Sequence, residues 1–315
     1  MTRGFTRLVA AAALGMAMMG GAAATEPASC KSVRFSDVGW TDITATTAAA
    51  SVVLQALGYA PEAKLLSVPV TYRSLKNGDI DVFLGNWMPT MENDIKAYRE
   101  DGSVETVRAN LEGAKYTLAV PKYLYDAGLK DFADIAKFRD ELDGKIYGIE
   151  PGNDGNRLIL DMIEKDTFGL KGFKLVESSE AGMLSQVARS ARKKEPLVFL
   201  GWEPHPMNAT FEMAYLSGGD DVFGPNFGGA TVYTNVRKGY TGECANVGVF
   251  LNNLVFSLAM ENEIMGGILN DKRTAESAAR AWLTAHPEVL SGWLAGVTTF
   301  DGEDAMAAIN EALGL

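Results

Sequence analysis

The sequence predicts an α/β fold of two lobes, each a mainly parallel sheet flanked by helices, joined by two hinge crossings. Short apolar strands alternate with helical stretches, as in repeated βαβ units, and the alternation restarts after about residue 113. Two cysteines far apart in the chain, if bonded, place the N-terminal segment and the region near residue 244 in one lobe. We therefore assign residues 26–113 plus 230–315 to lobe I and residues 114–229 to lobe II, with a cleft between them.

The first 24 residues have the pattern of a secretory signal peptide. Arg3 and Arg7 form a basic start, residues 8–24 carry no charge, and the stretch ends in three alanines, a small-x-small cleavage signal. A transmembrane anchor is the alternative, but the apolar core is shorter than the ~20 residues that a span needs. We expect cleavage after Ala24 and export of the mature chain.

The elements of lobe I follow in order. We predict a strand at 33–35, a helix at 44–57 ended by Gly58, a strand at 63–70, a short helix ending at 75–78 and a strand at 81–84. After the second crossing, the chain beyond about Gly248 is predicted to be helical, at 250–269, 274–285, around Trp293 and at 306–313.

Lobe II repeats the alternation. We predict strands at 116–120, 145–149, 173–176 and 197–200, and helices at 132–139, 157–165 and 179–194. Residues 218–229 are rich in Gly, Asp, Asn and Pro and are predicted to form a loop.

The charge of the chain restricts its partners. The formal charge of −11 becomes −13 without Arg3 and Arg7. An acidic surface argues against nucleic acid and anionic membranes as partners, and it is compatible with a cationic ligand. The two cysteines, Cys30 and Cys244, are most simply one disulfide in an exported chain. A metal site is not expected, since no His or Cys lies at ligand spacing from them.

Three of the five tryptophans follow apolar runs that end in turn residues. They are Trp40, Trp87 and Trp202, and strand ends of α/β sheets are where ligands usually bind. Several aromatic faces around one crevice suit a quaternary ammonium, which cannot donate a hydrogen bond but is attracted by ring quadrupoles. Core packing or surface exposure is the alternative for any one tryptophan, and we assign this structural role to Trp282 and Trp293, which lie in helical patterns.

Three further residues are candidates for the same site. Tyr116 opens the first strand of lobe II, beside the hinge, and is the fourth aromatic candidate. Asp42 would bring a carboxylate to the cleft, although it could also be an ordinary helix N-cap. Asn153 lies between a predicted strand and a predicted helix, where an ordinary turn is an equally good interpretation.

Catalysis is not expected. The chain contains no Gly-x-Ser-x-Gly nucleophile motif, no phosphate-binding Gly-x-x-x-x-Gly-Lys-Ser/Thr motif and only two histidines, His205 and His286. A hydrolase acting on an ester of a quaternary ammonium alcohol is the enzyme alternative, and turnover of such an ester would test it. We expect neither a cofactor nor a metal, and we interpret His205 as a structural or surface histidine near the cleft.

Four motifs resemble the choline- and betaine-binding periplasmic proteins of bacterial ABC importers. They are FSDVGWTD at 35–42, FLGNWMP at 83–89, IEPGNDG at 149–155 and LGWEPH at 200–205. The resemblance covers essentially the whole mature chain and implies a type II periplasmic binding protein. It also implies an aromatic cage around choline, a ligand hydroxyl held by an aspartate and an asparagine, and delivery to a membrane permease. On this chain the implied residues are Trp40, Trp87, Tyr116 and Trp202 for the cage, Asp42 and Asn153 for the hydroxyl, and Cys30–Cys244 for a disulfide. We expect a monomer.

The ligand within this group depends on Asp42. A betaine carboxylate held against it would meet a like charge, at a cost of up to ~4 kcal/mol at 4 Å with an effective dielectric near 20. Choline offers a hydroxyl that a carboxylate accepts well, and acetylcholine lacks that donor. We therefore predict choline, with glycine betaine, proline betaine or acetylcholine as the alternatives. Near-equal affinities for choline and glycine betaine would contradict this prediction.

Overall fold

The computed structural model describes residues 26–315 together with Met1, so the predicted signal peptide, residues 1–24, otherwise lies outside the described residues. The described chain forms nine strands in one sheet. They are β1 (Ser32–Asp37), β2 (Ala60–Leu65), β3 (Val82–Met88), β4 (Val104–Pro121), β5 (Lys145–Tyr147), β6 (Lys174–Val176), β7 (Phe199–Glu203), β8 (Met213–Tyr215) and β9 (Gly229–Arg237). The strand order is β2-β1-β3-β9-β4-β7-β5-β6, and β8 pairs with β4.

Helices surround this sheet. Within the described residues the α-helices are α1 (Thr41–Ala56), α2 (Val68–Asn77), α3 (Glu92–Glu100), α4 (Lys122–Asp126), α5 (Asp154–Glu164), α6 (Glu180–Lys193), α7 (Met207–Thr210), α8 (Asp220–Phe223), α9 (Pro225–Gly228), α10 (Tyr240–Glu243), α11 (Ala245–Asn253), α12 (Leu258–Leu269), α13 (Ala275–Ala285), α14 (Glu288–Trp293) and α15 (Ala305–Leu313). Short 3-10 helices span Ala28–Lys31, Phe132–Phe138 and Thr167–Gly169. No helix of the described chain is both long and apolar enough to cross a membrane.

The sheet is mixed. At one end β1 pairs in parallel with β2 and β3, and at the other end β5 pairs in parallel with β6 and β7. These parallel ends agree with the predicted βαβ units. The centre is antiparallel, since β9 pairs with β3 and β4, and β4 pairs with β7. The two central strands carry the chain between the halves of the molecule in opposite directions, which local sequence patterns do not reveal.

Strand β4 belongs to both halves of the sheet. Its residues from Val104 to Lys115 pair with β9, and its residues from Lys115 to Ala119 pair with β7. Ala114 lies opposite Ala230, beside the two hinge crossings placed by the sequence at residues 113/114 and 229/230. The division into two lobes at these positions stays a prediction, and we keep the names lobe I and lobe II for it.

Several predicted elements have different bounds in the structure. The strand predicted at 63–70 is wrong in its last part, because helix α2 begins at Val68, where Pro69 suits the first turn. The helix predicted at 250–269 is also wrong as one element. It is two helices, separated at Leu254–Ser257, and Ser257 caps the second by accepting from the backbone N–H of Met260.

Two other differences concern lobe II. The strand predicted at 116–120 is only the end of the 18-residue β4, whose first part is interrupted by register shifts. The loop predicted at 218–229 contains two single-turn helices, α8 and α9.

The predicted disulfide is present. Cys30 and Cys244 are bonded, with their Cα atoms 5.5 Å apart and a sequence separation of 214 positions. Both cysteines are buried. The bond fastens the segment before β1 to the junction of α10 and α11, so these two segments belong to the same part of the fold.

Candidate functional site

One cavity collects all six residues that the sequence singled out as ligand-binding. The empty space between its walls is about 260 Å³. It is lined by Trp40, Asp42, Trp87, Tyr116, Ile149, Asn153, Asp154 and Trp202. Residues from helix α1, strands β3, β4 and β7, and the segment between β5 and α5 therefore converge on one small space.

The four aromatic residues reach the cavity from strand ends and a helix start. Trp40 is the N-cap residue of α1 and follows Gly39, whose φ of 83° turns the chain after β1. Trp87 and Trp202 are the penultimate residues of β3 and β7. Tyr116 lies directly opposite Trp202 in the antiparallel pairing of β4 with β7, so their side chains share a face of the sheet.

The aromatic rings meet edge to face instead of stacking. The ring centroids of Trp87 and Tyr116 are 6.1 Å apart at 62°, and those of Tyr116 and Trp202 are 6.3 Å apart at 83°. Rings at steep angles form adjoining walls, with faces left free for another group. All four aromatic residues, Trp40 included, are at most 5% exposed. The faces are thus held in a desolvated space, where attraction of a cation is strongest.

Asp42 brings a carboxylate to this cavity with one oxygen left free. The indole N–H of Trp87 donates to Asp42 Oδ2 at 3.2 Å, whereas Oδ1 is buried without a hydrogen-bond partner in the described chain. Asp42 is the second residue of α1, whose N-cap is Trp40, so the interpretation of Asp42 as the N-cap is wrong. Burial, and then the nearby charge of Glu180, raise the pKa of Asp42 to about 8. A cation beside it would favour the ionised form.

Asn153 is the N-cap of α5. Its Oδ1 accepts from the backbone N–H of Asn156 at 3.0 Å and from the Tyr116 hydroxyl at 2.8 Å. Its Nδ2 donates to Asp154 Oδ1 at 3.1 Å. The strand-to-helix turn expected as one interpretation is therefore present, and the side chain also lines the cavity.

Asp154 is a cavity residue that the sequence analysis did not single out. It is fully buried, and its Oδ2 has no partner within the described residues. Burial raises the pKa of Asp154 to about 7, and the charge of Asp94 adds to the effect. Its position in the sequence could have identified it as a candidate, because Asp154 follows Asn153 directly in the Gly-Asn-Asp-Gly segment.

Two glutamates hold the two sides of the cavity together. The Trp40 indole N–H donates to Glu150 Oε1 at 2.7 Å. Glu180 accepts from Thr41, the next residue along. Local sequence patterns reveal neither glutamate, since each bonds to a residue more than 100 positions away.

A salt bridge between Arg157 and Asp94 also links predicted lobe II to predicted lobe I. Desolvation by burial raises the pKa of Asp94, although the charge of Arg157 opposes this effect.

The two histidines and the other two tryptophans lie outside the cavity lining. His205 is buried and its ring centroid is 4.9 Å from that of Trp202, so it is a structural histidine behind the cavity wall. His286 stacks on Trp282 on a partly exposed surface. Trp293 is buried and donates to the Val255 carbonyl. None of these four residues lines the cavity.

The fold and the cavity define a two-lobed ligand-binding protein of α/β architecture. Residues 31–285 match the family described as the substrate binding domain of ABC-type glycine betaine transport systems (OpuAC), and the chain belongs to this family. The family is one of transport proteins that bind substrates.

Two solved structures are similar to this chain over its length, each at 70% identity. One is an ABC-transporter choline binding protein in complex with choline, with a TM-score of 0.91, covering 92% of this chain and 100% of that chain. The other is described as an ABC-transporter choline binding protein in an unliganded semi-closed conformation, with a TM-score of 0.84, covering 91% and 100%.

A relative from Listeria monocytogenes, the glycine betaine/carnitine transport binding protein GbuC, is 30% identical over 132 residues. This match covers 42% of the chain and 43% of the relative, so it spans less than half of that protein.

Proposed function

We propose that this chain is the substrate-binding protein of a bacterial ABC importer and that its ligand is choline. The observation that carries the proposal is the cavity itself, in which four buried aromatic rings surround a space beside the unpartnered Oδ1 of Asp42. At about 0.5–2 kcal/mol per desolvated ring, four rings supply several kcal/mol. A micromolar ligand needs about 8 kcal/mol in total, so the rings would provide much of the affinity.

The polar groups favour choline over betaines. Trp40, Trp87, Tyr116 and Trp202 would enclose the trimethylammonium group, while Asp42 Oδ1 accepts the choline hydroxyl and Asn153 contributes its amide. The cavity also contains Asp154, so a ligand carboxylate would meet two buried carboxyl groups with unpartnered oxygens. A ligand with a net positive charge fits a cavity with these two carboxyl groups better than a zwitterion does. The 70% identical protein with bound choline supports the same choice.

Ligand capture is proposed to close the two lobes. The chain superimposes better on the choline complex than on the unliganded semi-closed form, with TM-scores of 0.91 and 0.84. Contacts across the cleft, such as Trp40 with Glu150 and Arg157 with Asp94, suit a closed form. In the open protein one lobe would bind the cation first, and the other lobe would then complete the cage.

The biological setting follows from the family. The mature chain would be exported through its N-terminal signal peptide, act in the periplasm as a monomer and dock on a membrane permease driven by a separate ATPase. It would not be an enzyme. Glycine betaine is the second candidate ligand, because the family description names glycine betaine transport.

The test is calorimetric titration of the refolded, ligand-stripped mature protein with choline, glycine betaine and acetylcholine in turn. Stripping matters because a retained ligand would mask binding. Choline at micromolar affinity or tighter, with glycine betaine much weaker, supports the proposal. Equal or reversed preference would keep the cage and make glycine betaine the ligand, and no heat with any of the three contradicts the cage.

A further inference from the structure

Helix α1 begins without a capping side chain of its own. Its N-cap residue is Trp40, which makes no side-chain capping hydrogen bond. The first backbone N–H groups of a helix have no partner within the helix and are normally satisfied by a Ser, Thr, Asp or Asn at this position. Here the N-cap position is occupied by a ring of the cage, so the cap must come from another part of the chain.

Glu180 supplies that cap from the opposite side of the cleft. Its Oε2 accepts from the backbone N–H of Thr41 at 2.9 Å, and its Oε1 accepts from the Thr41 hydroxyl. Glu180 is the first residue of α6 and lies 139 positions from Thr41. Its side chain is buried, at 6% exposure. A carboxylate at a helix N-terminus is also favoured by the helix dipole.

His205 fixes the orientation of Glu180. The backbone N–H of Met207 donates to His205 Nδ1 at 2.9 Å, which leaves Nε2 as the ring donor, and Nε2 lies 3.2 Å from Glu180 Oε1. The same ring packs on Trp202 with centroids 4.9 Å apart. A chain of contacts thus runs from the cage wall of lobe II through His205 and Glu180 to the start of α1.

We propose, on the basis of the function proposed above, that Glu180 is a positioning residue that caps α1 only when the lobes are closed. The turn it caps carries two cavity residues, Trp40 and Asp42. Closure therefore completes the helix that presents them, and bound ligand and cap stabilise the same closed state. Glu180 touches no ligand in this mechanism and acts through α1.

The proposal predicts an effect on ligand release. In the open protein Glu180 and Thr41 are apart, so Glu180→Ala should leave the choline association rate within about twofold of wild type. Two hydrogen bonds to a buried carboxylate are lost from the closed state, so the dissociation rate should rise about tenfold to a hundredfold. Stopped-flow tryptophan fluorescence measures both rates. Glu164→Ala, on an exposed residue of the same lobe, is the matched control.

Three further readouts separate positioning from a merely structural role. Glu180→Gln keeps an acceptor oxygen and should recover part of the lost residence time. Thr41→Val removes only the hydroxyl bond and should raise the dissociation rate less than Glu180→Ala does. The melting temperature of ligand-free Glu180→Ala should stay near wild type, while its increase with saturating choline should shrink.

An unchanged dissociation rate in Glu180→Ala, or an equal loss of melting temperature with and without choline, would overturn the proposal. Should Glu180→Ala fail to fold, Thr41→Val decides the matter by the same rate measurement. Failure of the proposed function is a separate result, because it is seen in wild-type protein that does not bind choline. If wild type binds glycine betaine instead, the same rates measured with glycine betaine test the cap.

Discussion

The indole N–H of Trp87 donates to Oδ2 of Asp42 at 3.2 Å, and the other oxygen of that carboxylate, Oδ1, has no partner in the described chain. One wall of the cavity therefore holds the carboxylate in place and leaves one acceptor for a ligand. A buried, unpartnered carboxylate oxygen is costly, and a bound cation with a hydroxyl would remove that cost.

Replacing Asp42 by asparagine tests this relationship. Asp42→Asn removes the charge at nearly constant shape, so choline should bind about tenfold to a hundredfold more weakly, as expected for loss of a charged hydrogen bond near a cation. Above about pH 8, where Asp42 is ionised, glycine betaine should lose less affinity or gain some, because its carboxylate no longer meets a like charge in Asp42→Asn. Titration calorimetry of both ligands measures the ratio. Asp79→Asn, on an exposed aspartate, is the control, and an unchanged ratio in Asp42→Asn would contradict the selectivity role.

The pH dependence of binding follows from the raised pKa of Asp42. At about 8, this pKa means that the carboxyl group is mostly protonated at neutral pH without a cation beside it. Choline should therefore release a proton on binding, and its affinity should rise with pH up to about 8, by at most about tenfold per pH unit for one proton. Calorimetry in buffers with different ionisation heats detects the proton. Binding heats independent of the buffer, with affinity flat between about pH 6 and pH 8.5, would rule out this linkage.

In the ligand-free protein, the raised pKa of Asp42 should make the folded state less stable as pH rises. The folded-state pKa of Asp42, about 8, lies above its ordinary value of 3.8. Its contribution to stability is therefore fully present below about pH 4 and is lost as pH rises through about 8. Thermal unfolding of the ligand-free protein across this window should show a decline that is smaller in Asp42→Asn. An identical pH profile in the two proteins would exclude Asp42 as the cause.

Much of the fold was accessible from the sequence because βαβ units are local. The helix at α13 and the strands at β1 and β3 follow from apolar runs bounded by turn residues, and the structure has them within a few residues. The site was accessible for a related reason. Trp40, Trp87 and Trp202 each follow an apolar run at a strand end, and such ends converge at one edge of a sheet.

What the sequence did not reveal depends on contacts between distant segments. The first half of β4 is a strand only because it pairs with β9, 133 positions later at Val104 and Arg237, and its polar residues give no strong strand pattern. Glu180 has the pattern of an ordinary first-turn acid of α6, and its cap on α1 exists only across the cleft. The sequence did not single out Asp154, because the N-cap role of its neighbour Asn153 is by itself enough to explain the turn.

Truncating different rings of the cage should lower the affinity for choline by different amounts. Tyr116→Phe removes the hydroxyl that donates to Asn153 at 2.8 Å but keeps the aromatic face, so choline affinity should fall by less than about tenfold. Trp202→Ala removes a face altogether and should cost more than about tenfold. Trp282→Ala, on a tryptophan away from the cavity, controls for loss of an indole. Equal losses in Tyr116→Phe and Trp202→Ala would argue that the hydroxyl network, and not the aromatic faces, carries the affinity.

The disulfide should matter for stability and not for ligand choice. The Cys30–Cys244 bond closes a loop between residues 214 positions apart, for which chain entropy predicts a stabilisation of roughly 5 kcal/mol. The double variant Cys30→Ala with Cys244→Ala should therefore lower the melting temperature by roughly 10 °C. Because neither cysteine lines the cavity, the choline dissociation constant should stay within about twofold. Differential scanning calorimetry and titration calorimetry measure the two quantities. A large loss of affinity in a variant that remains folded would mean that the bond positions the cavity, contrary to this prediction.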